Sequence, residues 1–469
     1  MWCPAIESTS ALKVIFYSNI IILIQKTSML KPTLRPAVIG KDGRTTAIAE
    51  ALGASPHVIE VIPLHEWKNK KPEVAMREVL ARAKKLKPDF VVVGPEEPLA
   101  AGVVDRLAEL GIPCVGPLQD LAQLESSKAF TRKLVAEYGI PGNPEFQVFH
   151  RMDGIKEYLE TLGDYVIKPD GLTGGKGVKI SDAHLFSTDD ALAYCEEILS
   201  GHEAVVIEEK LDGEEFSLMS LCDGTHVADM VVVQDHKRVG EGDTGPNTGG
   251  MGSYSCENHL LPFLTADILR QASEINDAVA KALLDKTKQP YKGVLYGGFM
   301  LTARGLRLLE YNARFGDPET LNVLSILKTD FALVCQAIVN GNLHQVPLRF
   351  ERRATVCKYV VPEGYPDSPK HNVSIDLSKV PSRPKSELRK FPAALDKKGK
   401  QDILTGSRAI AFVGIGKNLH EAEAIAEEAA NSVIGPVFHR SDIGTQGLID
   451  RRVAHVKSFK KAQRSRVLA

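Results

Sequence analysis

The segment YVIKPDGLTGGKGVKI (residues 165–180) joins two short apolar runs through a loop that is rich in glycine. We predict strands at Val166–Lys168 and Val178–Ile180, with the glycine loop between them. A glycine backbone approaches phosphate oxygens closely, and Lys168 and Lys176 bring cations to the same place. The loop is not a Walker motif, because another glycine follows Lys176 and no helix is predicted after it. Taken alone, such a glycine-rich hairpin is more often an ordinary mobile loop, and Lys168 on the entering strand is the residue that points to a phosphate-binding hairpin instead.

A second group of polar residues lies in LLEYNARFGDPE (residues 308–319). Glu310, Asn312 and Arg314 are spaced two apart, so a strand turns all three to one face. Carboxylate and amide oxygens are hard ligands that suit Mg²⁺, and a guanidinium holds a carboxylate or a phosphate in a planar fork. The pattern predicts a metal and anion site, and a solvent-facing strand edge is the alternative.

A third segment combines QDHKR (residues 234–238) with GDTGPNTGGMG (residues 242–252). Its glycines and proline predict a long exposed loop, and long loops inside compact domains are usually functional. Free backbone amides there suit an anion. His236 is a candidate base, although a lone histidine is more often structural.

Composition limits the class of protein. The chain has 469 residues, of which 43% are hydrophobic and 25% charged, with a net charge of -1. These values indicate a globular chain of about three domains, exclude a disordered or fibrous protein, and give no basic field for nucleic acid. The seven cysteines form no CxxC pair, so we expect a reducing, cytoplasmic compartment and no disulfide framework or thiolate zinc site.

The two ends of the chain need separate interpretations. The apolar run at residues 12–24 is shorter than the roughly 20 residues that a membrane-spanning helix needs. We expect residues 1–33 to be a disordered extension or a mis-assigned start, since Met29 offers a second start; an extra strand and a targeting segment are the alternatives. Residues 451–469 are rich in Lys and Arg and predict a solvated basic tail, with a phosphate or RNA contact as the alternative.

From Pro36 onward, apolar runs alternate with amphipathic stretches, which predicts a parallel sheet covered on both faces. Ligands bind at the carboxyl ends of such strands, so the loops Gly40–Arg44 and Gly94–Leu99 are candidate site walls. The predicted elements here are strands at Ala37–Ile39, Val58–Ile62, Phe90–Val93 and Cys114–Val115, and helices at Thr45–Leu52, Glu73–Leu86 and Ala101–Leu110.

Farther along, we predict two antiparallel hairpins, within Phe216–Val233 and within Tyr296–Tyr311. Further predicted elements are a strand at Val205–Glu208, helices at Ile268–Leu284 and Leu321–Val339, and a final strand and helix at Ala409–Val413 and Glu421–Val433.

Taken together, these motifs resemble one family, the phosphoribosylamine–glycine ligases, or glycinamide ribonucleotide synthetases, of the ATP-grasp superfamily. The resemblance extends from about Arg35 to Gly444. It rests on these segments: GPEEPLAAGVVD (94–105), LESSKAF (124–130), IKPDGLTGGKGV (167–178), VIEEKLDGEEFS (206–217), QDHKRVGEGDTGPNTGGMGSYS (234–255), LEYNARFGDPET (309–320), GYP (364–366) and HRSDIG (439–444).

The resemblance implies a multi-domain chain of α/β and α+β classes. It implies an N-terminal parallel α/β domain over residues 34–125, an ATP-grasp domain over 126–348 in which two sheets clamp ATP, and a small β-rich C-terminal domain over 349–450. It also implies ATP-dependent joining of glycine to 5-phospho-β-D-ribosylamine through an acyl phosphate, with Mg²⁺ or Mn²⁺ as cofactor. We expect small-molecule substrates, no nucleic acid or membrane partner, and a monomer or weak homodimer.

The resemblance also implies roles for single residues. Glu310 and Asn312 hold the metal, and Arg314, Lys176 and Asp243 act in catalysis. ATP is bound by Lys128, Lys168, Gly174, Gly175, Lys176, Glu208, Glu209, Leu211 and Glu215. The acceptor pocket is lined by Gly245, Pro246, Asn247, Thr248, Gly249, Gly250, Met251 and Arg314.

The loop Gly40–Ala47 departs from the family pattern near GSGGREHA, because it keeps a glycine and an arginine but lacks the glutamate–histidine pair. Two alternatives to a glycine ligase therefore stay open: an ATP-grasp ligase with another acceptor, and a nucleotide-binding paralogue without catalysis.

Overall fold

The computed structural model describes residues 33–65, 67, 70–174 and 177–467. The expectations for residues 1–32 and for Gly175 and Lys176 lie outside the described residues. Within the described part, the predicted α/β and α+β multi-domain architecture is confirmed.

The N-terminal domain alternates strands and helices around a parallel sheet. Its elements are β1 (Ala37–Ile39), α1 (Gly43–Gly53), β2 (Ile62–His65), α2 (Pro72–Leu86), β3 (Val91–Val93), α3 (Glu96–Ala100), α4 (Val103–Glu109) and β4 (Cys114–Val115). The strands lie in the order β2-β1-β3-β4 and pair in parallel. Strand β3 is buried throughout because helices cover both faces of the sheet. The carboxyl ends of β1 and β3 therefore open toward the rest of the molecule.

Two predictions in this domain are wrong. The strand expected at Val58–Ile62 begins only at Ile62, because the register with β1 starts at Ala37–Ile62 and Val58 forms a single bridge to Leu34. The helix expected at Ala101–Leu110 begins only at Val103, as α4, because Gly102 before it has φ 78° and interrupts the helical backbone; the separate short helix α3 at Glu96–Ala100 was not predicted.

The next part of the chain forms an antiparallel sheet with helices on it. Its elements are α5 (Gln119–Ser126), α6 (Lys128–Glu137), β5 (Phe146–Phe149), α7 (Ile155–Leu162), β6 (Tyr165–Pro169), β7 (Lys179–Ile180), α8 (Thr188–Gly201) and β8 (Val205–Glu209). The strands lie in the order β5-β8-β6-β7. Val166 pairs with Ile180, so the glycine loop joins two paired strands as predicted. This sheet has a hydrophobic core of its own, which includes Phe149, Ile167 and Ile198.

A second antiparallel sheet faces the first. The elements that follow in the chain are β9 (Gly213–Asp223), β10 (Val227–Asp229), β11 (Gln234–Asp235), β12 (Arg238–Gly240), β13 (Thr244–Asn247), β14 (Gly252–Ser255), α9 (Ala266–Thr287), β15 (Lys292–Thr302), β16 (Gly305–Asn312), α10 (Glu319–Ser325), α11 (Phe331–Asn340) and a 3₁₀ turn at Leu343–Gln345. The sheet order β10-β9-β15-β16 contains both predicted hairpins. The helix predicted over Leu321–Val339 is divided, because the Asp330 carboxylate caps a new helix by accepting from the backbone N–H groups of Ala332 and Leu333.

The C-terminal domain is β-rich, and strands β11 and β14 join its sheet. Its elements are β17 (Ala354–Pro362), β18 (Ser374–Ile375), β19 (Leu388–Pro392), β20 (Leu395–Lys398), β21 (Gln401–Leu404), β22 (Ile410–Gly416), α12 (Leu419–Asn431), β23 (Val437–Phe438) and α13 (Gln446–Val467). The main sheet runs β11-β14-β17-β22-β19. The segment around QDHKR is therefore attached to the C-terminal domain by backbone pairing.

Helix α13 contradicts the expected solvated tail at residues 451–469. The helix crosses the expected boundary at 450 and packs on β9 and β15 of the second sheet. Leu448, Ile449 and Val456 are buried there in the main core. This segment is rich in basic residues and has no hydrophobic periodicity from which the packing could be predicted. Arg451 and Lys457 are exposed, as expected for a solvated tail.

Among the described residues, no helix has both the length and the apolar character needed to cross a bilayer.

Candidate active site

A cleft of about 660 Å³ lies between the two antiparallel sheets and extends toward the N- and C-terminal domains. This volume is in the range that small-molecule sites occupy. Lys168 of β6 lines one wall, and Glu310 and Asn312 of β16 line the facing wall. The two motifs that the sequence singled out thus share one cleft. Arg44 and Glu96, from the two loops predicted as site walls, line it as well.

Lys168 is held at the cleft by a buried ion-pair network. Its Nζ lies 2.7 Å from Oε2 of Glu208, and Arg132 donates through Nε and Nη2 to the two oxygens of the same carboxylate at 2.8 Å. Arg132 also donates to the carbonyl oxygens of Leu308 and Leu309, which ties the first sheet to β16. Burial alone would raise the pKa of Glu208, but Arg132 and Lys168 lower it to about 2. Glu208 is therefore a fixed negative charge that orients Lys168.

The glycine loop carries other residues that are predicted to contact phosphate. Gly171, Thr173 and Gly174 line the cleft. The Nζ of Lys128 donates to the carbonyl oxygen of Gly171 at 2.8 Å, so Lys128 lies under the loop. Burial, with Lys168 nearby, lowers the pKa of Lys128 despite the attraction of Glu310.

The residues predicted to contact adenine and ribose lie where the first sheet leads into β9. Glu209, Leu211 and Glu215 all line the cleft. The Glu209 carboxylate accepts from the backbone N–H of Glu145 at 3.1 Å and pairs with Arg304. Glu215 accepts from the Nζ of Lys237 at 3.1 Å. Their contacts with a nucleotide stay predictions.

Glu310 and Asn312 present oxygens on one face of β16, as a hard cation requires. The Glu310 side chain is 45% exposed, and its Oε1 lies 3.7 Å from the Nζ of Lys237. Burial would raise the pKa of Glu310, but Lys237, Lys168 and Lys128 lower it, so the carboxylate is ionised at neutral pH. The oxygen of Asn312 accepts from Nη2 of Arg314 at 3.0 Å. This donor set fits a divalent cation.

Arg314 is anchored by carboxylates from the N-terminal domain. Its Nε donates to Glu96 at 3.2 Å, and its Nη2 lies 3.0 Å from Glu125. Burial raises the pKa of Glu125 to about 7, because Arg314 offsets only part of the desolvation cost. The segments GPEEPL and LESSKAF therefore contain site residues that the sequence analysis did not assign, although both segments belong to the family resemblance.

The predicted acceptor loop is a ribbon rather than a long exposed loop. Strands β12 and β13 pair with each other, so Asn247, Thr248 and Gly249 reach the cleft. Gly245 and Pro246 are exposed and do not line it. Gly250 accepts from Arg408 at its carbonyl oxygen, and Met251 is fully buried in the core. Of the run Gly245–Met251, only the middle residues therefore lie on the cleft wall, because Gly245 and Pro246 are at the exposed end of the ribbon and Met251 is in the core.

Asp243 and His236 both lie near the ribbon, in different surroundings. The Asp243 carboxylate accepts from Nη1 of Arg440 at 2.9 Å and pairs with Arg452, so it holds the ribbon in place. Asp243 also lines the cleft, so its catalytic role stays a prediction beside this positioning contact. The His236 ring is buried outside the cleft lining, and neither ring nitrogen has a hydrogen-bond partner. Burial, with Arg440 nearby, lowers its pKa to about 3, so the ring is neutral, which fits the structural role rather than the candidate base.

One acidic pair in the cleft was missed entirely. Asp235 and Glu319 both line it, and burial, together with the charge of Glu319, raises the pKa of Asp235 well above its ordinary value. Tyr296 donates to Oε1 of Glu319 at 2.5 Å, whereas the buried Oε2 has no hydrogen-bond partner among the described residues. Such a pair suits an ammonium group. Asp235 and Glu319 are 84 positions apart in the sequence, so no local spacing predicts that they lie together. The only signals were the segments QDHKR and GDPE, which contain them.

Models of one family match most of the chain. The N domain of phosphoribosylglycinamide synthetase matches residues 35–125, its ATP-grasp (A) domain residues 126–320, and its C domain residues 355–446. A phosphoribosylamine–glycine ligase from Methanoregula boonei is 46% identical over 434 residues, which cover 90% of this chain and 99% of that protein. One from Methanocella arvoryzae is 42% identical over 440 residues and covers 91% and 100%.

Two solved structures are similar to this chain in fold. The crystal structure of a phosphoribosylamine–glycine ligase from Thermotoga maritima superposes with a TM-score of 0.72 at 28% identity, covering 87% of this chain and all of that one. A biotin carboxylase domain from Hydrogenobacter thermophilus reaches a TM-score of 0.67 at 12% identity, covering 90% and 94%, which shows a shared fold only.

Proposed function

The chain belongs to the phosphoribosylglycinamide synthetase family, and from this membership we infer that it is an ATP-dependent carbon–nitrogen ligase. It joins glycine to 5-phospho-β-D-ribosylamine and forms glycinamide ribonucleotide, ADP and phosphate, a step of de novo purine biosynthesis. The observation that carries this function in the structure is the single cleft shared by Lys168, Glu310 and Asn312.

The reaction takes place in two steps. A glycine carboxylate oxygen attacks the γ-phosphorus of ATP, the bond to ADP breaks, and glycyl phosphate forms. The amine nitrogen of phosphoribosylamine then attacks the acyl carbon, loses a proton, and displaces phosphate. A carboxylate is a poor electrophile, so the first step supplies the leaving group. The protein then mainly positions the reactants and neutralises charge.

The ATP phosphates bind between the sheets. Lys168, oriented by Glu208, and Lys128, under the glycine loop, supply the cations. Gly174 lines the cleft beside these cations, and the resemblance to the family assigns Gly175 and Lys176 to the same phosphates. Glu208, Glu209 and Leu211 lie toward adenine, and Glu215 lies toward the ribose.

Glu310 and Asn312 hold Mg²⁺ or Mn²⁺, since both are oxygen ligands on one strand face beside the cationic wall. The metal neutralises phosphate charge when it is bound. Arg314 holds Asn312 in place and orients the reacting carboxylate. Glu96 and Glu125 hold the Arg314 guanidinium in one orientation beside Asn312.

The ammonium group of glycine is bound by Asp235 and Glu319. The support for this assignment is the buried Oε2 of Glu319, which has no hydrogen-bond partner. An ammonium placed there gains a charged acceptor and also lowers the raised pKa of Asp235. Phosphoribosylamine lies beyond it, against Asn247, Thr248 and Gly249 of the ribbon.

The enzyme acts in the cytoplasm as a monomer or weak homodimer. The support for a reducing compartment is that Cys114, Cys195, Cys222, Cys256, Cys335 and Cys357 are all free and buried. The exposed large apolar side chains are dispersed over several elements, which favours a monomer.

The test is ADP release by the purified full chain with ATP, Mg²⁺ and defined substrate pairs. We expect turnover with glycine and phosphoribosylamine, and little turnover when glycine is replaced by L-alanine or phosphoribosylamine by ammonia. Faster turnover with another amine shows a ligase of different acceptor specificity. Binding of ATP without ADP release for any carboxylate shows a nucleotide-binding protein and overturns the ligase assignment.

A further inference from the structure

Helix α13 carries basic residues that reach back to the cleft. The helix lies beyond the last matched residue of the family's C domain, residue 446. Its apolar residues pack on β9 and β15, and this contact turns Arg452 and His455 toward the ATP-grasp domain. Arg452 lines the cleft, and its side chain is only 22% exposed.

Arg452 bridges two carboxylates from separate segments. Its Nε lies 3.2 Å from Oε2 of Glu214, and its Nη2 pairs with Oδ2 of Asp243. Glu214 is 4% exposed and also accepts from Nδ1 of His455 at 2.7 Å. A buried carboxylate without a cation is costly, so these contacts fix both acidic segments against the helix.

The two carboxylates stand beside the two predicted substrate regions. Glu214 precedes Glu215 on β9 and follows the hinge at Leu211, where the nucleotide is expected. Asp243 lies in the turn between β12 and β13 of the ribbon, and β13 carries Asn247 toward the acceptor. Arg452 is therefore a direct link between the nucleotide wall and the acceptor wall.

The ribbon has a second anchor that does not reach the nucleotide wall. Arg440 is 1% exposed and donates to Asp243, to the carbonyl oxygen of Arg238 and to Asp442. The backbone N–H of Gly242 also donates to Asp442. Arg440 thus holds the ribbon on the C-terminal domain, whereas Arg452 sets its position relative to β9.

We propose that Arg452 is a positioning residue that fixes the acceptor ribbon against the nucleotide hinge. The proposal rests on the proposed function, because it assigns the two walls to acceptor and ATP. Without the Arg452 cation, the Glu214 and Asp243 carboxylates repel each other and the ribbon moves away from β9. Binding of the acceptor then weakens, while the groups that contact the reacting atoms are unchanged.

The test measures kcat and KM for the full chain with Arg452→Gln. We expect KM for phosphoribosylamine to rise about tenfold with kcat within about threefold of the wild type, as for a residue that aids binding more than chemistry. Lys457→Gln is the matched control, because Lys457 is an exposed cation on the same helix, and its KM values stay at the wild-type level.

A double variant separates positioning from general damage. Glu214→Gln combined with Arg452→Gln removes the repelling charge, so we expect it to recover most of the lost acceptor affinity. Arg452→Lys keeps the positive charge but replaces the forked guanidinium by a single ammonium group, and we expect a rise in KM of about threefold. These two variants decide the matter if Arg452→Gln does not fold.

Three outcomes overturn the proposal: a KM for Arg452→Gln within twofold of the wild type, a double variant no better than the single one, or a loss confined to kcat. A wild-type chain that releases no ADP with glycine and phosphoribosylamine refutes the proposed function instead.

Discussion

At the scale of single residues, the cleft pairs its cations with carboxylates before any ligand arrives. Lys168 is paired with Glu208, Lys237 with Glu215, and Arg314 with Glu96. Each pair keeps a long side chain in one place, so ATP meets cations that are already oriented. The carboxylates also offset the positive charge of these cations in the cleft.

The metal assignment predicts the effect of Glu310→Ala. This change removes the only carboxylate among the two proposed ligands, so we expect kcat for ADP release to fall by about 100-fold or more. The measurement is steady-state ADP release at saturating ATP and Mg²⁺. Glu160→Ala, which removes an exposed carboxylate, is the control and should behave as the wild type. Near-normal activity of Glu310→Ala would exclude Glu310 as a metal ligand.

The ion pairs of Glu208 predict a pH dependence of stability. The folded pKa is about 2, below the ordinary value of 4.5, so this stabilisation is complete above pH 4.5 and is lost as the pH falls toward 2. We expect Glu208→Gln to melt at a lower temperature than the wild type at pH 7, and the difference to shrink between pH 4.5 and 3. Melting curves at several pH values test this. A constant difference across that range would contradict the role of Glu208.

Single residues were predictable where the signal is local. Lys168 stands next to the glycine loop, and Glu310, Asn312 and Arg314 share one strand face, so short spacing revealed them. Glu319 and Arg452 were not predictable in the same way, because each acts with a carboxylate or cation that is distant in sequence. Only the folded chain brings such pairs together.

At the scale of elements, close packing of strand on helix depends on positions without a side chain. A Cβ at Gly414 of β22 would lie 2.0 Å from the carbonyl oxygen of Ala422 in α12. A side-chain carbon and a carbonyl oxygen that are not bonded do not approach each other that closely, so α12 must move if any side chain is introduced at Gly414.

This contact predicts the effect of Gly414→Ala. Because the obstacle is backbone, we expect the free energy of unfolding of the C-terminal domain to fall by about 3 kcal/mol. Urea denaturation followed by circular dichroism measures it. Gly201→Ala is the matched control, since a Cβ there meets nothing within 4 Å, and it should leave stability nearly unchanged. Equal stability of the two variants would show that α12 is not held tightly against β22.

Elements with strong local patterns were predicted well, and those set by pairing partners were not. The hairpin of β15 and β16 has two alternating strands and a short turn, so its pattern is complete in itself. The ribbon of β12 and β13 is polar and glycine-rich, and it is strand only because the two segments pair with each other. Likewise, Asp330 ended one predicted helix by capping the next, which hydrophobic periodicity alone does not reveal.

At the scale of the whole molecule, the first antiparallel sheet is a module with its own core, separate from the main core that joins the other domains. Arg132 on α6 connects this module to β16, because it pairs with Glu208 of β8 and also donates to the carbonyl oxygens of Leu308 and Leu309. ATP with its metal adds contacts to both sides, so it should stabilise the assembly as a whole.

This arrangement predicts a metal-dependent shift in melting temperature. ATP with Mg²⁺ at about 100 times its dissociation constant should stabilise the wild type by about 2.7 kcal/mol. ATP with EDTA should give a much smaller shift, and so should ATP with Mg²⁺ added to Glu310→Ala. Differential scanning fluorimetry measures all three. An equal shift with and without metal in the wild type would show that Glu310 and Asn312 do not help to bind the nucleotide.

The cleft takes residues from Arg44 in the first domain to Arg452 in the last helix. A ribosome therefore makes one wall of the site early and adds the arginine that joins the walls several hundred residues later. A nascent polypeptide that stops short of α13 contains the phosphate-binding loop and the metal ligands without that bridge. By the proposed role of Arg452, we expect full affinity for the acceptor to develop only once the last helix has been made and has folded onto β9 and β15.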